Sequence, residues 1–264
     1  MPHFAANLSM MFTEHAFIDR FAAAGVQGFS RVEYLFPYAF EPDALVGKLK
    51  ENGLSQTLFN LPAGNWDGGE RGLACIPGRE PEFAASVETA IVYAAALGCA
   101  KVHAMAGNRP AGVEEARIQD TYLENIGRAG SRLAKEGLEL CLEPINRFSM
   151  PAYFLRTPEQ AVGVIESLGL PNIKLQFDFF HCQMEQGNVA NTLRRYFQYI
   201  GHCQLASVPD RHEPDKGELY YPFLFELLDA LGYQGVIGCE YNPAGVTEEG
   251  LGWIRRYGVV PRRP

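Results

Sequence analysis

The sequence predicts an α/β fold, a single closed (β/α)8 barrel spanning residues 1–264. Three observations lead there. Short apolar runs alternate eight times with longer segments of helical period. The length is close to the roughly 250 residues typical of such a barrel. No Ser-rich, Gln-rich or single-charge block marks a linker.

Taken in order, the first strand at 3–8 leads to a helix at 14–24 that Gly25 closes, and 28–35 leads to 42–52 and Gly53. The third strand, 56–61, leads to 80–97 and Gly98; the fourth, 100–106, to 114–136 and Gly137. The fifth, 138–144, leads to 158–168 and Gly169, and the sixth, 173–178, to 189–199. The seventh, 201–206, leads to 221–231 and Gly232, and the eighth, 235–241, to 247–256. Glycine after a helical segment suits the left-handed residue that ends helices. An open doubly wound sheet also alternates strand and helix, but it rarely needs eight units and leaves two edges.

Hydrophobic residues make up 47% of the chain, charged 20% and aromatic 12%, which supplies ample material for a core. A net charge of −8 opposes nonspecific attraction to nucleic acid or anionic membranes. Small molecules are the expected partners. The six cysteines form no C-x-x-C pair and are expected as free thiols. Neither a signal peptide nor a run of about 18 apolar residues is present, so a cytoplasmic location is expected.

Four of the later apolar runs end in an oxygen-bearing side chain: Glu143, Asp178, Gln204 and Glu240, spaced by 35, 26 and 36 residues. Each interval is one βα unit. Side chains alternate along a strand, so counting back in twos places Glu139, Cys141 and Glu143 on one face, with Lys174, Gln176 and Asp178 beside them. The opposite faces (Leu138, Leu140, Leu142; Ile173, Leu175, Phe177) are apolar and should lie under the helices. The polar sets therefore point inward, and the four groups converge at the rim where α/β barrels carry their chemistry.

Two Glu, one Asp and one Gln offer a metal only oxygen, which suits a hard divalent cation, Mg or Mn. Three anions at one spot would repel strongly without one. A cation chelated by a 2-oxo-3-hydroxy compound, with a Glu on either side to move protons between adjacent carbons, is the arrangement of an aldose–ketose type isomerisation.

Several stretches carry a resemblance: Phe4–Met10, Asn60-Leu61-Pro62-Ala63-Gly64, Gly69–Gly72, Ile76–Glu80, Glu143-Pro144-Ile145-Asn146 and Gly238-Cys239-Glu240-Tyr241. With them the chain closely resembles the hydroxypyruvate isomerase family, within the xylose isomerase-like TIM barrels, over nearly its whole length. The resemblance implies that Glu143 and Glu240 are the catalytic acid/base pair and that Asp178 and Gln204 complete the metal site. It implies hydroxypyruvate and tartronate semialdehyde as the reacting pair. Residues 206–215 and His103-Ala104-Met105-Ala106 look more like the related 2-oxo-tetronate isomerases, whose substrate is longer by one hydroxymethylene group. Sugar epimerases of the same superfamily carry His where this chain has Gln204.

The resemblance also places a substrate-binding His at His181, with Glu185 either orienting its imidazole or facing water. Arg71, Arg211 and His212 lie on loops over the same face and are candidates for the substrate carboxylate. Asn7 and Asn60 end strands and are candidates to line the pocket, and Glu33 ends the second strand and is a further candidate to join the site. The Gly-rich segment 64–72 lacks the Gly-Lys-Ser/Thr ending of a phosphate loop and is expected to be a flexible lid. The aromatic segment 34–40 either walls the pocket or makes a contact in a homo-oligomer. Lower in the barrel, Glu139 and Lys174 are expected to pair, because an unpaired buried charge is costly.

Two rival functions belong to other classes. A DNA-repair endonuclease of the AP type needs many His ligands and a basic groove, whereas this chain has six His and is acidic. A non-catalytic sugar-acid binding protein would have no use for two inward glutamates at proton-transfer positions.

Overall fold

A computed structural model describes residues 2–262. The strands are β1 (His3–Asn7), β2 (Arg31–Glu33), β3 (Ser55–Gln56), β4 (Phe59–Asn60), β5 (Lys101–His103), β6 (Glu139–Leu142), β7 (Ile173–Asp178), β8 (Ile200–Leu205) and β9 (Val236–Cys239). All neighbouring strands pair in parallel, in the order β3-β2-β1-β9-β8-β7-β6-β5-β4. The two ends of that order, β3 and β4, are halves of the expected third strand. Thr57 N donates to Val32 O at 2.9 Å, Asn60 N to Leu35 O at 2.8 Å and Leu61 N to His103 O at 2.8 Å. Backbone hydrogen bonds thus pass from β2 to β5 through the interrupted strand and close the ring, so the sheet keeps no free edge.

The helices are α1 (Arg20–Val26), α2 (Pro42–Glu51), α3 (Glu80–Leu97), α4 (Glu115–Ala134), α5 (Pro158–Leu168), α6 (Phe179–Glu185), α7 (Val189–Tyr196), α8 (Tyr221–Leu231) and α9 (Thr247–Gly250). The α4 helix buries Ile118, Tyr122, Ile126, Ala129 and Leu133, a stripe at the helical period that faces the sheet. Gly98 and Gly169 follow α3 and α5 with φ of 62°, a left-handed conformation that other residues adopt at a cost.

Three expectations are corrected. The first helix starts later than expected and contains Gly25, ending at Val26. The last helix stops after four residues and continues as 3-10 turns at Leu251–Trp253 and Arg255–Tyr257. Residues 179–185 are a helix, α6, where a loop was expected, because Asp178 caps them.

The outward face of β1 shows how the layers join. Phe4 meets Phe225 of α8 at 5.5 Å and Trp253 at 5.4 Å between ring centroids, both edge to face. The six cysteines are all free and buried. No helix among the described residues is long and apolar enough to cross a membrane.

Glu139 does not take Lys174. It pairs with Lys101 of β5. Lys101 stands directly opposite Glu139 in the ladder, whereas Lys174 stands opposite Cys141. Both partners keep about a third of their side-chain surface (28% and 34%), so the burial cost assumed from sequence is largely absent.

Candidate active site

Every strand of a parallel barrel delivers its C-terminal end to the same rim. Asp178 is the last residue of β7, Gln204 lies near the end of β8, and Glu143 and Glu240 each stand one residue beyond β6 and β9. All four are buried. Ligand atoms of Glu143, Asp178, His181 and Glu240 lie within 4.8 Å of one another.

Asp178 has two tasks. Its Oδ1 accepts from the backbone N–H of Phe180 at 2.6 Å and of His181 at 3.2 Å, capping α6. Its Oδ2 is buried without a hydrogen-bond partner. Glu143 is similarly under-satisfied: Oε1 has no partner, and Oε2 is 3.6 Å from His103 Nδ1. His181 turns Nε2 toward this pair, 3.8 Å from Glu143 Oε1 and 4.0 Å from Asp178 Oδ2, too far for a hydrogen bond. Asn146 fixes that ring, with its backbone N–H at 3.4 Å and Nδ2 at 2.6 Å from Nδ1. Glu185 does not orient the imidazole; it is held by Arg147, at 3.0 Å in the ion pair.

Glu240 is the opposite case. Its Oε1 accepts from Asn7 Nδ2 at 3.2 Å and Gln204 Nε2 at 3.1 Å, and its Oε2 from Arg211 at 2.7 Å. Gln204 turns its nitrogen toward Glu240, while its Oε1 accepts from Gln176 Nε2 at 2.6 Å. Arg211 adopts φ 57° and lies over the Phe180 ring at 5.0 Å, and its Nε is buried without a partner.

Burial pushes the Glu143 carboxyl well above the usual carboxylate range, helped by repulsion from Glu240 and Asp178. Burial also raises Asp178, against the pull of Arg211 and the two capping amides. Glu240 is pushed up to about 8 by burial, with Arg211 opposing. The same burial lowers His103 to about 3 and holds His181 well below the usual imidazole range, so both rings are neutral at pH 7.

Three buried carboxyls with raised proton affinity, two carrying an oxygen without a partner, fit a hard divalent cation.

Of the other residues expected at the site, Asn7 is in it and Asn60 is adjacent, its Oδ1 3.2 Å from His103 Nδ1. Asn7, Glu33, Asn60, Gln204 and Glu240 share a cavity of about 10 Å³, roughly the room for one water. Arg71 is committed elsewhere, donating to Trp66 O and Glu70 O and stacking 4.1 Å from the Trp66 ring. His212 places Nδ1 2.7 Å from Asn242 O. The expected lid is braced: Glu70 accepts from Asn65 N at 2.5 Å and pairs with Arg79 at 2.6 Å, while Trp66 packs on Phe36. A surface cleft of about 520 Å³, lined by Glu213, Lys216 and Trp253 among others, shares no residue with the carboxyl group. Sequence reasoning gave His103 and Asn146 no role at the site. His103 ends β5, but in the sequence the apolar run continues through Ala104-Met105-Ala106, so the rule that picked out the other four did not reach it.

The family model described as Xylose isomerase-like TIM barrel matches residues 18–257. The chain belongs to this family. It is 51% identical to the 2-oxo-tetronate isomerase of Cupriavidus necator, over 97% of this chain and 99% of that protein. It is 44% identical to the hydroxypyruvate isomerase of Escherichia coli, over 97% and 100%. A crystal structure titled AP endonuclease, family 2, from Brucella melitensis superposes with a TM-score of 0.95 at 46% identity, covering 97% of this chain and 99% of that one. Within the family, the curated relatives make this chain a sugar-acid isomerase.

Proposed function

We propose that this isomerase acts on a small 2-oxo-3-hydroxy acid, moving a proton between C3 and C2 with Glu143 and Glu240 as the transferring groups. The convergence of Glu143, Asp178, His181 and Glu240 within 4.8 Å carries this reading. Each of the two glutamates ends a different strand, so a planar enediol between them can exchange a proton with either.

Glu143, Asp178 and Glu240 would hold a divalent cation, Mg or Mn, with Gln204 completing the set if its oxygen leaves Gln176. When bound, the ion supplies Lewis-acid polarisation of the 2-oxo group and acidifies the adjacent C–H. His181, neutral and fixed through Nδ1 by Asn146, presents Nε2 to a substrate oxygen. Arg211 is our candidate for the substrate carboxylate: one of its terminal nitrogens is held by Glu240, but its buried Nε lacks a partner, whereas Arg71 and His212 are engaged away from the carboxyl group. Asn7 and Asn60 line the same space.

The four-carbon 2-oxo-tetronate is supported by the 51% identical Cupriavidus relative and by residues 206–215. Hydroxypyruvate, which converts to tartronate semialdehyde, is supported by the Escherichia relative and by the Glu143–Asn146 loop. The higher identity supports the longer acid as the first candidate. The acidic balance and all-oxygen carboxyl donors favour isomerisation over cleavage of abasic DNA. Free, buried thiols support a reducing, cytoplasmic setting.

The test is to assay the Mn-loaded chain with each acid and identify products by NMR. Isomerisation of one acid with a higher kcat/KM, abolished by chelation, is expected. Unchanged acids in both assays would overturn the reading.

A further inference from the structure

Beneath Glu240 lies a carboxyl that the mechanism above leaves unused. Glu33 ends β2 at 1% exposure, and its two oxygens face three N–H donors. Asn7 Nδ2 at 3.1 Å and Gln204 Nε2 at 2.8 Å donate to Oε1, and His202 Nε2 stands 2.7 Å from Oε2. The two amide nitrogens are the same ones that donate to Glu240 Oε1. A side-chain amide nitrogen has two hydrogens, so one given to Glu33 leaves the other for Glu240. Turning either amide over would set its oxygen against carboxylate oxygens.

The barrel wall is cut back to admit this carboxyl. A Cβ on Gly238, two residues before Glu240, would stand 2.2 Å from Glu33 Oε1 and 2.3 Å from Oε2. Glycine at 238 is therefore the space that Glu33 occupies.

We propose that Glu33, anchored by His202, is a positioning residue: it holds the Asn7 and Gln204 amides by their nitrogens and thereby sets the Glu240 carboxylate. This rests on Glu240 having the role given above. Glu33 borders the small cavity beside Asn7, Asn60, Gln204 and Glu240, but its hydrogen bonds go to the two amides and His202, and it acts on Glu240 through those amides. With Glu33 gone, each amide keeps only the bond to its oxygen, from Gln176 Nε2 to Gln204 Oε1 and from Ser9 N–H to Asn7 Oδ1, and its nitrogen holds Glu240 less firmly.

The experiment compares the full chain with Glu33→Gln and Glu33→Asp, reading Mn²⁺ affinity by calorimetry, kcat and KM separately, and Tm. The Asp variant keeps the charge but not the reach, which separates positioning from the electric field of Glu33. Both variants are expected to weaken Mn²⁺ binding about 10-fold or more and to lower kcat with KM within about twofold, as removal of a ligand's outer partner does, at temperatures well below each variant's own Tm. A loss in the Gln variant alone, no loss in either, or losses that only follow a falling Tm would overturn it. If the wild type isomerises neither acid, the function reading fails, and the Mn²⁺ affinities still decide the role of Glu33.

Discussion

Glu143 and Glu240 are the same residue type at equivalent strand ends, yet the two sides of the rim treat them oppositely. On the β6–β7 side, Glu143 Oε1 and Asp178 Oδ2 are buried with no partner. On the β9–β1–β8 side, Glu240 accepts from Asn7, Gln204 and Arg211. A buried acceptor left unsatisfied costs about 1–3 kcal/mol, more when charged. The first side is thus built around something it must receive, and the second is organised in advance by its own side chains.

The largest expected effect comes from removing each carboxylate in turn. Glu143→Gln and Glu240→Gln should each lower kcat by about 10²-fold or more. Their stabilities should diverge: metal-free Glu143→Gln should be at least as stable as wild type, since it removes a repelled buried carboxyl. Glu240→Gln should be less stable by about 1–3 kcal/mol, because an amide there must turn an N–H toward either Arg211 or the donating nitrogens of Asn7 and Gln204. Urea unfolding beside steady-state kinetics checks both, and equal stabilities would erase the contrast. Next in size, Asp178→Asn should weaken Mn²⁺ binding by more than about 10-fold while leaving the α6 cap able to accept, seen as unchanged helical circular dichroism.

The third prediction concerns pH. Glu240 is held near 8 in the metal-free fold, above the ordinary 4.5, so the folded state keeps a proton that the unfolded state has lost. That contribution is full below about pH 4.5 and disappears as pH rises through about 8, on the order of a few kcal/mol. Metal-free protein should therefore lose stability between those values, and Mn²⁺ should reverse the loss with proton release measurable in buffers of different ionisation enthalpy. The smallest effect is at the other end of the barrel. Lys101→Ala should cost under about 1 kcal/mol in denaturant unfolding, because the Lys101–Glu139 pair is partly solvated.

The barrel and the convergence of Glu143, Asp178, Gln204 and Glu240 were legible because both rest on periodicity along the chain. What was not legible depends on register between strands. Lys101 and Lys174 are equally plausible partners for Glu139 until the ladder shows which one stands opposite. Glu33 sits in Arg-Val-Glu, a pattern that also describes a half-exposed strand, and only the missing side chain at Gly238, 205 positions away, makes room for it. The α6 helix was hidden because the same Asp178 reads as a strand end and as a helix cap. Asn146 holds His181 across 35 residues, a pairing no local pattern announces.

The central claim is that Glu143 and Glu240 move a proton between adjacent substrate carbons. It is tested most directly by running the Mn-loaded chain in heavy water with 2-oxo-tetronate and following deuterium at C2 and C3 by NMR. Wild type should incorporate deuterium as it isomerises, and Glu143→Gln and Glu240→Gln should bind the acid yet incorporate almost none. Undiminished incorporation in both variants would contradict the account.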